Sequence, residues 1–281
     1  MRFDDVLITS DYDYTLTAAD RTVHPKNIEA IRYFMENGGT FTVNTGRSAV
    51  AAKALMEQIP VNAPFLLYNG SASCSGGAFS NVYPIELEPW SILNRLAEEF
   101  PSVVLEVQGL HSHYIVNATQ QDREAYAKLG WTLTSVKPGD DLGVFVKFNV
   151  LAERRKEVLE DLRKSEEENI ALFDRIQQRI EELWGDYLTV FRAGVVVLNV
   201  HAKGVSKAKA ARDLQKQLGK KILVCIGDAE NDLSMMEDAD FAYCPADGTL
   251  ADRFETVCNC GEGAVADVIY KKIPEILKNR S

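Results

Sequence analysis

Residues 6–16 read VLITSDYDYTL, and the choice of fold turns on this stretch. Val6 to Thr9 is short, β-branched and apolar, then gives way at once to acids and turn formers, as a buried parallel strand does on reaching its carboxyl end. Working outward, Pro25 opens a helix in which Ile28, Ile31, Tyr33, Phe34 and Met35 recur at near-helical spacing, and Asn37-Gly38-Gly39 stops it. A second apolar strand, Thr40 to Val43, ends at Asn44-Thr45-Gly46-Arg47 before a further helix from Ser48 to Ile59. The same grammar returns late in the chain. There a helix over Val205 to Leu218 leads to the strand Ile222 to Ile226, then Gly227-Asp228, a helix from Asn231 to Ala239 and a strand from Phe241 to Cys244. Such alternation predicts an α/β fold with a Rossmann-like, doubly wound parallel sheet and helices on both faces.

Between these halves the pattern changes. Residues 103–117 and 143–151 alternate as half-buried strands do, and helical stretches fall at 89–100, 119–129, 153–164 and 168–183. In the last of these Leu172, Phe173, Ile176, Ile180 and Leu183 trace one apolar face. The charge run from Glu153 to Glu168 reads as the solvated side of helices. At 281 residues the chain is longer than one hydrophobic core usually serves. The reading is a core made of 1–84 and 188–281, with an α+β domain, 85–187, inserted between crossings near Pro84 and near Tyr187.

Composition narrows the function classes. A formal net charge of -10 repels nucleic-acid backbones and anionic membranes, and no basic patch offsets it. No segment has the roughly 20 apolar residues of a membrane helix, and MRFDDVLITSDYD lacks the basic then apolar layout of a signal peptide, so a cytoplasmic location is expected. The five cysteines (Cys74, Cys225, Cys244, Cys258, Cys260) are scattered and show no zinc or disulfide pattern. The protein is expected to be a monomer or homodimer.

Four polar clusters fall just beyond predicted strand ends or at a helix start, where open parallel sheets place their sites. They are Asp11-Tyr-Asp13-Tyr-Thr15-Leu16, Thr45-Gly46-Arg47, Lys207, and Gly227-Asp228-Ala-Glu-Asn231-Asp232. In this order they resemble the four motifs of the haloacid dehalogenase superfamily of phosphotransferases. The inserted domain is similar to the cap of the Cof-like phosphatases, in which the cap (class IIB) lies late in sequence. An isolated Asp-x-Asp or Gly-Asp is common in turns; the set of four is specific.

The resemblance implies roles. Asp11 resembles the nucleophile that takes the phosphoryl group. Asp13 resembles the acid that protonates the leaving oxygen and then the base that activates water, its backbone carbonyl also ligating the metal. Thr45 is similar to the residue that holds a phosphoryl oxygen, and Lys207 to the cation that offsets charge, with Lys203 as the alternative. Asp228 would be a metal ligand and Asp232 a ligand or its support; Gly46, Arg47 and Asn231 would meet substrate. Elementary electrostatics agrees, since two like charges about 4 Å apart cost about 1 kcal/mol in water and several in a sheltered cleft. Asp11, Asp13, Asp228 and Asp232 gathered at one edge therefore want a cation, and an oxygen-only donor set points to Mg2+.

The implied function is magnesium-dependent hydrolysis of a small phosphate monoester, a sugar phosphate by family association, through an aspartyl-phosphate. Two alternatives share the motifs: a phosphosugar mutase, and a non-catalytic metabolite-binding protein on the same fold. Tyr14 and Ala208 stand where the family often carries Gly, and Tyr14 bears on substrate choice. Lys147 and Arg192 are candidates for a second anionic group. His111, His113 and His201 read as exposed or substrate-facing strand residues before metal ligands.

Overall fold

A computed structural model describes residues 2–116, 119–128, 133–152 and 166–279. The chain divides into two compact units, one of Met1–Arg47, Ala52–Asn81 and Ser206–Ser281, the other of Ser48–Ala51 and Val82–Val205. In chain order the strands are β1 (Val6–Ser10), β2 (Thr40–Val43), β3 (Phe65–Leu67), β4 (Ala72–Ser75), β5 (Ala78–Ser80), β6 (Val103–Gly109), β7 (His113–Val116), β8 (Thr134–Ser135), β9 (Phe145–Ala152), β10 (Leu188–Arg192), β11 (Val197–Ala202), β12 (Ile222–Ile226), β13 (Phe241–Pro245) and β14 (Glu255–Val257).

In the first unit the order across the main sheet is β14-β13-β12-β1-β2, all parallel. Every residue of β1 and β12 is buried, which is why these runs lack the polar alternation of a strand with one wet face. Leu7, Leu223 and Cys225 pack with Leu214, Met235 and Met236 from the helices Lys207–Gln217 and Leu233–Asp238. The helix Pro25–Glu36 begins on its proline, with His24 Nδ1 accepting the Lys26 N–H at 3.2 Å. It ends at Asn37, where Gly38 takes φ +93° and returns its N–H to Met35 O at 3.0 Å. From β1 the chain turns one way to β2 and, after the inserted unit, comes back on the other side at β12. That reversal opens a crevice at the carboxyl ends of β1 and β12. A small antiparallel sheet, β3-β4-β5, completes the unit.

The second unit is a six-stranded sheet in the order β10-β11-β9-β6-β7-β8, antiparallel except for the β7/β8 pair. Trp90, Leu93 and Leu96 of the helix Pro89–Glu99, and Phe173, Ile176 and Ile180 of the helix Glu166–Trp184, join Leu105, Phe148, Val150 and Leu198 of the sheet in one core. The helix expected over 153–164, and most of the charge run beginning at Glu153, lie outside the described residues.

One expected boundary moves. The chain leaves the second unit between Val205 and Ser206, not near Tyr187. The reason is pairing: β11 runs antiparallel to β9 from Val197 opposite Leu151 to His201 opposite Lys147, and β10 pairs with β11. Both strands therefore belong to the inserted unit. The first crossing falls between Asn81 and Val82. No helix among the described residues is long and apolar enough to cross a membrane.

Candidate active site

Asp11 follows the last residue of β1, and its N–H donates to Ile226 O at 2.8 Å, tying the ends of β1 and β12 together. Beyond β12 a tight loop follows, and a Cβ on Gly227 would sit 2.5 Å from Asp232 Cβ, so the glycine is a steric requirement. The loop curls until Asp232 Oδ2 accepts the N–H groups of Asp228 and Ala229 at 3.1 and 3.2 Å. Lys207 opens its helix behind the Ser206 cap, whose Oγ accepts the Lys209 N–H at 3.0 Å. Asn44 Nδ2 donates to the Lys207 carbonyl at 2.9 Å and fixes that helix start against the end of β2.

These placements converge. Lys207 Nζ donates to Asp11 Oδ1 and to Asp232 Oδ1, each at 2.6 Å. Oxygens of Asp11, Asp228 and Asp232 lie within 4.8 Å of one another. Thr15 Oγ1 donates to Asp228 Oδ1 at 2.8 Å. All five side chains are buried. Lys203, the alternative cation, donates instead to Gly185 O within the second unit at 2.6 Å.

Burial, then the charge of Asp232, raises the Asp11 carboxyl well above its usual value, against the opposing pull of Lys207. Burial, then Asp232, lifts Asp228 to about 6, with the Thr15 hydrogen bond opposing. For Lys207 burial works against the ammonium, but the two carboxylates outweigh it and raise its pKa. Three carboxylates against one ammonium leave a deficit of two charges when all are ionised, which is the charge of a divalent cation. The donors are all oxygen, so the residues fit a hard ion such as magnesium.

A pH prediction follows from the raised groups. A carboxyl whose folded pKa exceeds its unfolded value stabilises the fold at low pH, and that contribution is lost as pH rises through the folded pKa. Metal-free protein should therefore gain on the order of 1–3 kcal/mol from Asp228 as pH falls from about 7.5 to about 5. Glu99, held at about 2 chiefly by its hydrogen bond to Arg179, does not titrate in that window. Denaturant unfolding at both pH values checks this, and added magnesium should flatten the slope; a metal-free protein that loses stability on acidification contradicts it.

The remaining expected residues are placed differently. Asp13 stands outside the acidic trio, its carboxylate held by Arg47 through Nε at 2.8 Å and Nη2 at 2.6 Å. Arg47 also lies 4.9 Å from the centroid of the Tyr12 ring. Arg47, expected to meet substrate, here engages the residue expected to act as acid. Thr45 is buried and its Oγ1 accepts the Arg47 N–H at 3.2 Å. Gly46 allows no side chain, since a Cβ would lie 2.7 Å from Asn69 Oδ1. Asn231 is half-buried in the short turn before the helix Leu233–Asp238. In the second unit Arg192 bonds Asp174 at 2.5 Å; of the three histidines expected to be exposed or substrate-facing, His111 is exposed, and His113 and His201 are buried.

Tyr14 is exposed and takes φ 58°, a left-handed conformation suited to glycine. Tyr14→Gly should leave unfolding free energy unchanged or raise it by up to about 1 kcal/mol. A clear loss of stability in a denaturant melt is the contrary result.

Two residues of the site were given no role by the sequence reading: Thr15, the hydrogen-bond donor to Asp228, and Asn44, which fixes the Lys207 helix. Each stands inside or beside a quoted motif, and that proximity was the available signal.

Fold and site together mark a hydrolase of the Rossmann-like, acid-cluster kind. The family model for haloacid dehalogenase-like hydrolases matches residues 8–251, and the chain belongs to that family. Its curated relatives include the Bacillus subtilis (strain 168) protein 5-amino-6-(5-phospho-D-ribitylamino)uracil phosphatase YcsE, 24% identical over 245 residues, with 83% of this chain and 80% of that one covered. Among solved structures, SMU.1108c from Streptococcus mutans UA159 has a TM-score of 0.78 at 18% identity, covering 95% of this chain and 98% of the other. The HAD subclass IIB sugar phosphatase BT4131 gives 0.72 at 17% identity, covering 97% and 98%. The enzyme class expected from the motifs, a hydrolase of the phosphatase type, holds.

Proposed function

We propose that the chain is a magnesium-dependent phosphatase that hydrolyses a phosphate monoester of a small sugar or polyol through an aspartyl-phosphate on Asp11. The observation that carries this reading is the pair of 2.6 Å bonds by which Lys207 joins Asp11 to Asp232 beside Asp228. The names of relatives support the substrate class: YcsE is named for a 5-phospho-D-ribityl compound and BT4131 for a sugar phosphatase.

Lys207 engages Oδ1 of Asp11 and so presents Oδ2 to the phosphorus. The bond from phosphorus to the leaving oxygen breaks as the bond to Oδ2 forms, and Asp13 gives that oxygen its proton. Asp13 then takes a proton from the water that attacks the same phosphorus and frees Asp11. Because Arg47 engages both carboxylate oxygens of Asp13, Asp13 takes up from solvent the proton it delivers, and enters the cycle, only once Arg47 lets go, and an anionic substrate is the group that draws Arg47 away. Thr45 holds a phosphoryl oxygen. Magnesium, held by Asp11, the Asp13 carbonyl and Asp228 with Asp232 in support, would neutralise charge between carboxylate and phosphate.

The test is a phosphate-release screen over phosphorylated sugars, polyols and nucleotides, with magnesium and after chelation. Release from sugar or polyol esters that stops on chelation is the expected outcome. Release that survives full chelation removes the metal from the proposal, and no release from any ester removes the phosphatase.

A further inference from the structure

Tyr68, Asn69 and Gly70 follow β3 with φ of 54°, 54° and 95°, three consecutive residues in the left-handed region. Glycine takes that conformation freely and asparagine tolerates it, but a tyrosine there is an outlier. Tyr68 and Asn69 are both buried, so the turn is not a loose surface loop. Strain of this kind persists only where the surrounding contacts over-determine it, and it gathers at functional sites.

The contacts run to two parts of the candidate site. The Asn69 N–H donates to Thr45 O and the Tyr68 N–H to Arg47 O, each at 3.0 Å, so the turn spans the Thr45-Gly46-Arg47 loop from end to end. Between these two bonds the Asn69 amide covers Gly46, where a Cβ would lie 2.7 Å from Asn69 Oδ1 and 3.4 Å from its Nδ2. Gly46 itself has no left-handed φ, so its missing side chain answers to Asn69 and not to the backbone. On its other side the turn meets the start of the Lys207 helix. A Cβ on Gly70 would stand 2.5 Å from Ser206 O and 2.9 Å from Ala210 Cβ.

We propose that Asn69 is a positioning residue for phosphoryl transfer, wedged between the loop that carries Thr45 and the helix start that carries Lys207. Its N–H fixes the Thr45 carbonyl, its amide packs on Gly46, and Gly70 seats the turn against Ser206. This role rests on the phosphatase reading, in which Thr45 holds a phosphoryl oxygen and Lys207 offsets its charge. A phosphoryl group in transit gains most from groups already in place, and a misplacement of about 1 Å can cost about a hundredfold in rate.

Asn69→Gly and Gly46→Ala, made separately and together in the full-length protein, test this. Glycine at 69 keeps the left-handed turn and removes only the amide, whereas alanine would add backbone strain. In Asn69→Gly, kcat/KM for acetyl phosphate with magnesium should fall about tenfold or more. The calorimetric dissociation constant for orthovanadate with magnesium, a mimic of the phosphoryl group in transit, should rise by a similar factor. A merely structural role would leave fewer folded molecules with the vanadate constant unchanged, since that constant does not depend on how many molecules bind. Gly46→Ala should show the same losses, its methyl displacing the amide. In the double variant the methyl enters the space the amide leaves, so the loss should be no greater than in either single variant. An unchanged vanadate constant in Asn69→Gly, or losses that multiply in the double variant, overturns the proposal. A parent protein that binds vanadate yet releases no phosphate counts against the phosphatase and leaves the vanadate constants to decide the role of Asn69; a parent that does neither overturns both.

Discussion

Asp11→Asn protein is expected to release no phosphate above background, a fall of at least about ten-thousandfold, while unfolding no earlier than the parent. The activity loss follows because the amide nitrogen or oxygen of asparagine is too poor a nucleophile to form an acyl phosphate. Retained stability follows from the site's own electrostatics. The substitution weakens the 2.6 Å bond to Lys207, since an amide oxygen still accepts but carries no full charge, and it also removes a buried charge that Asp232 and Asp228 already disfavour. Phosphate release with saturating magnesium and thermal unfolding without metal check the two halves separately. Undiminished turnover removes Asp11 from the mechanism.

Lys207→Met has the opposite profile in stability and the same one in activity. It takes the ammonium from between two buried carboxylates and leaves Asp11 and Asp232 facing Asp228 with no countercharge. Breaking a buried ion pair by removing one partner costs about 3–5 kcal/mol. Loss of charge stabilisation at the phosphoryl group should lower turnover by about a hundredfold or more. Acidification to about pH 5 should recover part of the stability, as the stranded carboxyls protonate. Asp232→Asn introduced into the Lys207→Met protein should also restore stability, so the pair of substitutions will not be additive. A Lys207→Met protein as stable as the parent in metal-free buffer contradicts the buried-cluster account.

The sheet was legible because each core strand is a short apolar run closed by an acid or a turn former. A parallel strand buried on both faces leaves that mark in sequence, as Val6–Ser10 and Ile222–Ile226 do. Asp11, Asp228 and Lys207 were legible as a set because each sits at the fixed end of such an element. Their supports were harder to see. Thr15 and Asp228 are 213 positions apart, and Asn44 and Lys207 are 163 apart, so only the fold brings them together.

The clamp of Arg47 on Asp13 was missed for another reason: either residue alone has the chemistry for substrate, and nothing local says they meet first. The second domain crossing went astray because β10 and β11 resemble any short strands, and only their pairing with β9 assigns them to the inserted unit. The alternation around Phe148 was plain in sequence, yet it gave no hint that the polar side, from Glu106 to His201, would be buried.

The most direct test of the account is to trap the phosphorylated enzyme. Protein turning over a reactive phosphoryl donor such as acetyl phosphate with magnesium is quenched, freed of the donor, treated with borohydride, which reduces an acyl phosphate to an alcohol, and digested for mass spectrometry. The account predicts homoserine at position 11, only when magnesium and substrate are both present. Active enzyme that yields no modification, or yields it at Asp13, Asp228 or Asp232 instead, contradicts the claim that Asp11 attacks the phosphorus.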